Sequence, residues 1–287
     1  MRASDMAFPY SSDEKNQCLE PLMHAIRRLH RSGNTIIVGI QGGQGTGKTT
    51  LADYLVNQLS EKSYCVTSFS IDDFYTSYEE RQKLATQHPG NPWYQLFRGM
   101  PGTHRTDLLY DVLACFQRGE DVAIPVFDKT AHQARGDVTP DVTPVRGRQD
   151  VVIFEGWCIG AEVTPADELT DICRRHGLLD ISPLPISEHL NAVLANLAPY
   201  QRIWQQIDFL VMLRPDFPTL HAGWRIEREQ DLIARTGIGM TERQVYDHVH
   251  PFLPISYLCY EKVTPDMRIS INEDHRFYDI TSLNKEG

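Results

Sequence analysis

Gly42-Gly43-Gln44-Gly45-Thr46-Gly47-Lys48-Thr49 follows the apolar run Thr35-Ile36-Ile37-Val38-Gly39-Ile40 and precedes a segment in which Leu51, Leu55 and Leu59 recur four apart. A buried strand, a glycine-rich turn and a helix start, in that order, give the spacing G-x-x-x-x-G-K-[ST] its chemical meaning. Glycines reach backbone conformations closed to other residues, so successive N–H groups can converge on one phosphate. The helix behind them adds unpaired N–H donors and a partial positive charge. Gly42, Gly43, Gln44, Gly45, Thr46, Gly47, Lys48, Thr49 and the following Thr50 are therefore expected to hold a nucleoside triphosphate. In this reading Lys48 meets the β- and γ-phosphates as a point charge, and Thr49 places its hydroxyl on Mg2+.

The chain around this loop has 287 residues, 41% of them hydrophobic and 23% charged, as expected of a globular protein with a sizeable core. Its formal net charge is −10 and it has no basic run, which argues against a nucleic-acid surface. An anionic substrate must then be drawn in by local Arg and Lys groups. The six cysteines (Cys18, Cys65, Cys115, Cys158, Cys173, Cys259) show no C-x-x-C spacing and suit reduced thiols of a cytoplasmic protein. Met1 to Gln17 is polar, and nowhere do eighteen apolar residues run together, so neither a signal peptide nor a membrane partner is expected. Monomer and dimer are both left open.

Taken in order, residues 1 to about 12 read as a loose arm, and Leu22, Ile26 and Leu29 mark a helix ending near Gly33. Together, residues 1–34 form an N-terminal arm and helix. After the phosphate loop and its helix, Cys65–Ile71 reads as a strand running into Asp72-Asp73-Phe74-Tyr75. Residues 76–104 show no strong periodicity and read as a long functional connection. A helix with Leu108, Leu109, Val112, Leu113 and Phe116 is closed by Gly119, and the apolar segment Val122–Phe127 delivers Asp128-Lys129. The echo Asp137-Val138-Thr139-Pro140, Asp141-Val142-Thr143-Pro144 reads as turn chemistry. Asp150–Gly156 is a buried strand ending in an acid, and residues 157–206 read as a helical insertion, with Thr164-Pro165 opening one helix. Phe209–Leu213 is a further strand. A charged helix within 216–237 reads as a lid, Thr241-x-x-Gln244 as a capping box, and Arg268–Ile271 as a last strand. Alternating strands and helices imply an α/β P-loop NTPase fold: a mainly parallel sheet, helices on both faces, and one domain over 1–287.

Ligands of such sheets gather beyond the carboxyl ends of the strands. Four ends carry chemistry: the phosphate loop, Asp72-Asp73, Asp128-Lys129 and Glu155. An acid after the second strand suits proton removal from an acceptor hydroxyl, which makes Asp72 the expected base and Asp73 the runner-up or substrate contact. Both could instead be turn caps, a common use of Asp. Glu155, with Thr49 and Asp72, is expected to hold Mg2+. Arg225 and Arg228 share a helix face and are expected to balance the transferring phosphoryl group beside Lys48; alone, each would read as a solvated cation paired with Glu227 or Glu229.

These pieces carry a resemblance. Ile71-Asp72-Asp73-Phe74-Tyr75 resembles the Asp-x-Phe-Tyr element of the phosphoribulokinase/uridine kinase group of P-loop kinases. Asn91-Pro92, Arg98–His104, Asp128-Lys129-Thr130, Arg135-Gly136-Asp137, Phe154-Glu155-Gly156-Trp157, Trp224-Arg225 with Glu229-Gln230, and Gly239-Met240-Thr241 together resemble plant-type D-glycerate 3-kinases. The similarity spans roughly residues 35 to 265 and implies an ATP- and Mg2+-dependent kinase for a hydroxyl of a small organic acid. Such an acid needs a cationic anchor, for which Lys129 and Arg135 rank above Arg98 and Arg105. Tyr75 and His104 are the remaining expected substrate contacts, His104 doubling as a packed loop histidine. Trp93, Tyr94 and Phe97 read as core of the long loop. Where the resembled family has Asp after Pro-Gly-Thr-His, this chain has Arg105, with Asp107 as a possible substitute. A kinase of a nucleoside, pantothenate or a sugar phosphate is the neighbouring alternative, and a P-loop switch or assembly factor is the alternative of another class.

Overall fold

The computed structural model describes residues 8–31, 33–96, 98–237 and 239–283. Six strands form the main sheet: β1 (Ile36–Gly42), β2 (Val66–Ser70), β5 (Val151–Gly156), β6 (Phe209–Pro215), β7 (Met267–Ile271) and β8 (Phe277–Ser282). Their spatial order is β2-β5-β1-β6-β7-β8. All neighbours run parallel except β7 and β8, which pair antiparallel as a terminal hairpin. β1 and β5 are buried at every position, as expected of strands covered on both faces.

Alternation along β5 divides the core. Val151 and Ile153 join one hydrophobic layer with α1 (Glu20–Leu29) and α2 (Lys48–Glu61). Val152 and Phe154 point the other way, into a layer with α4 (Thr106–Arg118), α5 (Ala166–Arg175), α6 (Ser187–Ala195) and α9 (Leu253–Lys262). Leu169, Ile172, Leu190 and Val193 lie in that second cluster, so the helical segment 157–206 covers one sheet face. α7 (Leu220–Thr236) and α8 (Glu242–Val249) pack on each other through Ala222, Val245 and Val249. Helix punctuation follows local chemistry. α4 and α7 stop at the left-handed glycines Gly119 and Gly237, and α8 starts in the Thr241/Gln244 capping box.

Several expectations are corrected. The described part of the arm is packed: Ser11 and Glu14 close a capping box, and Phe8 and Tyr10 meet Tyr54 edge-on at 5.3 Å. Leu29, at the frayed end of α1, is exposed. The connection 76–104 contains α3 (Tyr78–Gln87), opened by a Ser77/Glu80 capping box. The Asp-Val-Thr-Pro echo forms strand β4 (Asp137–Val145), which pairs antiparallel with β3 (Val122–Asp128) in a separate two-stranded sheet. A four-residue repeat is two strand periods, so its prolines fall on one side of a strand free of a second neighbour. α5 begins at Ala166 with Pro165 at the cap position and no side-chain cap. Trp93 and Tyr94 are buried as core of the long connection; Phe97 and residues 1–7 lie outside the described residues.

Phe154 is fully buried and stacks on Phe69 at 5.2 Å. Phe154→Ala is expected to lower the unfolding free energy by about 3–5 kcal/mol in urea titrations. Exposed Val142→Ala should stay within about 0.5 kcal/mol of the parent. A cost below about 1 kcal/mol for Phe154→Ala contradicts this packing.

Candidate active site

The carboxyl ends of β1, β2 and β5 open into one cleft of about 870 Å³. On its nucleotide-facing side, Gly45 and Gly47 take left-handed backbone at φ 80° and 85°, which bends the loop onto the first turn of α2. Gly43 N–H donates to the Tyr260 hydroxyl at 2.9 Å, while the Gly43 carbonyl accepts from Thr46 Oγ1 at 2.9 Å and Lys48 Nζ at 3.1 Å. Gln44, Gly45, Lys48, Thr49 and Thr50 line the cleft. Gly42, Gly43 and Thr46 are buried behind them and shape the loop. Gly47 faces a smaller pocket of about 260 Å³ beside Pro9 and His275.

Charge in the cleft is set by a contest between burial and pairing. Burial lowers the pKa of Lys48, opposed by the nearby carboxylates of Glu155 and Asp72. Thr49 Oγ1 donates to Glu155 Oε1 at 3.0 Å. Two oxygen donors so close suit a hard divalent cation that takes its remaining ligands from phosphates and water. Among the described residues no cluster of three His, Cys, Asp or Glu forms a self-contained metal cage.

Across the cleft, Ile71–Phe74 form a 3₁₀ turn directly after β2. Asp72 accepts from the Tyr75 hydroxyl at 2.7 Å and from Lys129 Nζ at 2.8 Å, with 32% of its side chain still open. Burial alone would raise its pKa; Lys129 and the Tyr75 hydrogen bond outweigh it and hold Asp72 below the ordinary carboxylate range. Asp73 Oδ2 instead accepts from Ser70 N–H at 2.9 Å and closes a capping box, and burial raises its pKa. Asp72 and Asp73 both line the cleft, but the pair is split by partner: Asp73 caps the turn, and Asp72 bonds Tyr75 and Lys129. Both Asp72 oxygens have partners across the cleft, while Thr49 and Glu155 are joined directly to each other.

Lys129 arrives on the β3–β4 sheet, which lies outside the main sheet but packs on the 71–74 turn. Arg98 lines the cleft and donates to the Ala134 carbonyl at 2.6 Å, bracing the loop that presents Lys129. Tyr75 lines it as well. His104 sits behind Tyr75, ring centroids 4.5 Å apart, with Nδ1 2.7 Å from the Tyr200 hydroxyl; burial pushes its pKa down to about 4. It is a neutral packed histidine beneath the site, outside the cleft lining. Arg135 is also outside it: its guanidinium donates to the Tyr78 hydroxyl at 3.0 Å, and its carbonyl accepts from buried Arg81. Asp107 is exposed, pairs with Arg202 and lies outside the cleft lining.

Arg225 and Arg228 of α7 both face the cleft, and Arg225 pairs with buried Glu229 at 2.5 Å. Arg235 is exposed and bonded to the Asp231 carbonyl. The sequence reading missed Pro9, His248 and His275 in the lining. His275, at φ 59° in the β7–β8 turn, stacks on Trp224 at 4.2 Å and 11°. No motif spacing connects these positions, which come from the N-terminal arm, α8 and the β7–β8 turn. Among the described residues no helix is long and apolar enough to cross a membrane.

Residues 37–173 match the phosphoribulokinase / uridine kinase family. The protein named "Uncharacterized kinase mug58" of Schizosaccharomyces pombe is 36% identical over 79% of this chain and 82% of the relative. The chloroplastic D-glycerate 3-kinase of Arabidopsis thaliana is 30% identical over 78% of this chain, which spans 47% of that longer protein. Among solved structures, D-glycerate 3-kinase from Cryptococcus neoformans superposes with a TM-score of 0.79 at 28% identity, covering 92% of this chain and 96% of that one. The fold and the phosphotransferase chemistry expected from the phosphate loop agree with these likenesses. The chain belongs to the phosphoribulokinase/uridine kinase family and is a kinase acting on a hydroxyl group.

Proposed function

We propose that this kinase uses ATP and Mg2+ to phosphorylate a hydroxyl of a small organic acid, with D-glycerate the leading acceptor. One observation carries the reading: the Asp72 carboxylate, bonded to Tyr75 and Lys129, shares a cleft with Lys48 of the phosphate loop. The relatives named D-glycerate 3-kinase support the choice of acceptor.

Phosphoryl transfer asks a protein mainly for in-line positioning and neutralisation of charge. The loop N–H groups and Lys48 hold the β- and γ-phosphates, and Thr50 lies beside them. Trp224, His275 and Pro9 also line the cleft, and the parallel Trp224 and His275 rings suit the base. Thr49 and Glu155 would hold Mg2+, which neutralises phosphate charge when bound. Asp72, kept ionised, takes the proton of the acceptor hydroxyl, and Tyr75 fixes its orientation. An ammonium has three donors, so Lys129 can keep Asp72 and still meet the acceptor carboxylate, with Arg98 as its neighbour. Arg225 and Arg228 face the transferring group from α7. His104 and Arg135 support this arrangement from outside the cleft, and Asp73 caps the turn at its wall. A cytoplasmic setting fits the six cysteines, all free thiols.

Acceptor screening by ADP release should show turnover dependent on D-glycerate; turnover only with a nucleoside, pantothenate or a sugar phosphate reassigns the acceptor. Lys48→Ala should abolish nucleotide-dependent activity. Asp72→Asn should keep ATP affinity near the parent value while lowering kcat on the order of 10²–10⁴-fold. A variant that keeps most of its rate moves the base elsewhere. Because Lys129 and the Tyr75 hydrogen bond together outweigh burial at Asp72, the ionised base persists below the ordinary carboxylate value of 3.8. Lys129→Met leaves burial opposed mainly by the Tyr75 hydrogen bond, so the Asp72 pKa rises and the acid limb of the rate profile moves to higher pH. An unmoved limb contradicts the pairing.

A further inference from the structure

His221, the second residue of α7, is fully buried behind the phosphate loop. Its Nδ1 lies 2.7 Å from the Gln44 carbonyl. A carbonyl only accepts, so Nδ1 carries the hydrogen and Nε2 is bare; Nε2 has no hydrogen-bond partner among the described residues. The ring presses on the loop backbone: a Cβ on Gly43 would come within 2.3 Å of His221 Cε1. Tyr260, whose hydroxyl takes the Gly43 N–H, lies parallel to the imidazole at 6.3 Å. Two loop peptides, Gly42–Gly43 and Gln44–Gly45, are thus gripped from behind by side chains of α9 and α7, both beyond residues 37–173.

A trans peptide is planar with its C=O and N–H opposed. Holding the Gln44 carbonyl away from the cleft therefore turns the next N–H, that of Gly45, toward it. We propose that His221 is a nucleotide-positioning residue, whose Nδ1–H fixes the Gln44–Gly45 peptide with its N–H aimed at the phosphates. His221, Arg225 and Arg228 stand four and three apart on one face, so the same bond ties the arginine helix to the loop. Burial keeps the imidazole neutral, pushing its pKa down to about 4. The inference rests on the proposed nucleotide site.

The test is calorimetric titration of ADP with Mg2+ into wild type, His221→Ala, His221→Asn and His221→Gln, with KM for ATP and acceptor measured alongside. An Asn amide places an N–H near the Nδ1 position; a Gln amide reaches toward Nε2. Loss of the bond in the Ala and Gln variants should weaken ADP binding and raise the ATP KM by about tenfold, while the acceptor KM changes far less. His221→Asn should restore affinity to within about threefold. Wild-type affinity in His221→Ala, or an Asn variant as weak as Ala, overturns the proposal. If wild type itself fails to bind ADP, the nucleotide site falls, and the proposal with it. Should the variants not fold, ¹⁵N spectra of the wild-type imidazoles decide. A neutral ring protonated at Nδ1 and shifted by ADP supports the role, and protonation at Nε2 refutes it.

Discussion

The register between β1 and β5 is the constraint on which the site depends. Ile40 lies opposite Glu155 and Gln41 opposite Gly156, so the two strands reach the same edge of the sheet together. That alignment brings the first turn of α2 to Glu155 and makes the 3.0 Å Thr49–Glu155 hydrogen bond possible. A one-residue slip would exchange the two faces of β5 and send Phe154 toward the α1–α2 layer. Fully buried alternating side chains on both faces forbid that slip, because each face is already filled. Core packing far from the cleft thus sets the placement of two oxygen atoms within it.

Within this frame the cleft interleaves cations with acids. The chain carries a formal −10, and one cleft gathers Lys48, Arg98, Lys129, Arg225 and Arg228 among the acids Asp53, Asp72, Asp73, Glu155, Glu227 and Asp231. Three of them face acids that limit their cost: Lys48 feels Glu155 and Asp72, Lys129 bonds Asp72, and Arg225 bonds Glu229. Such pairing keeps buried charges ionised without a ligand, and their remaining donors are available to phosphate and carboxylate oxygens. Arg81 shows the structural counterpart. Buried in α3, it donates to the carbonyls of Arg135 and Gly136 and ties the β3–β4 sheet to the acceptor side.

How much of this was legible in the sequence follows the range of the interaction concerned. The phosphate loop, Asp72 and Glu155 are read from residues adjacent to their strands, and the structure brings all of them to the cleft. The pairing of β3 with β4 was missed because a Pro-containing four-residue repeat looks like turn chemistry until a partner strand is known. α3 was missed although Ser77-x-x-Glu80 announced its start, because it has little apolar periodicity and only Arg81 fully buried. His104 and Arg135 were expected at the substrate on local grounds, but their hydrogen bonds to Tyr200 and Tyr78 hold them outside the lining. His275 and His221 had no local signal. Their roles come from long-range packing of the C-terminal third against the loop.

The central claim is that one carboxylate, Asp72, addresses the hydroxyl that a triphosphate on the loop will phosphorylate. A crystal structure of the protein with a non-hydrolysable ATP analogue, Mg2+ and D-glycerate tests it most directly. The account predicts a glycerate hydroxyl within about 2.6–3.2 Å of an Asp72 oxygen and in line with the terminal phosphorus. A glycerate bound away from Asp72, or one whose hydroxyl meets Asp73 while Asp72 stays closed on Lys129, contradicts it.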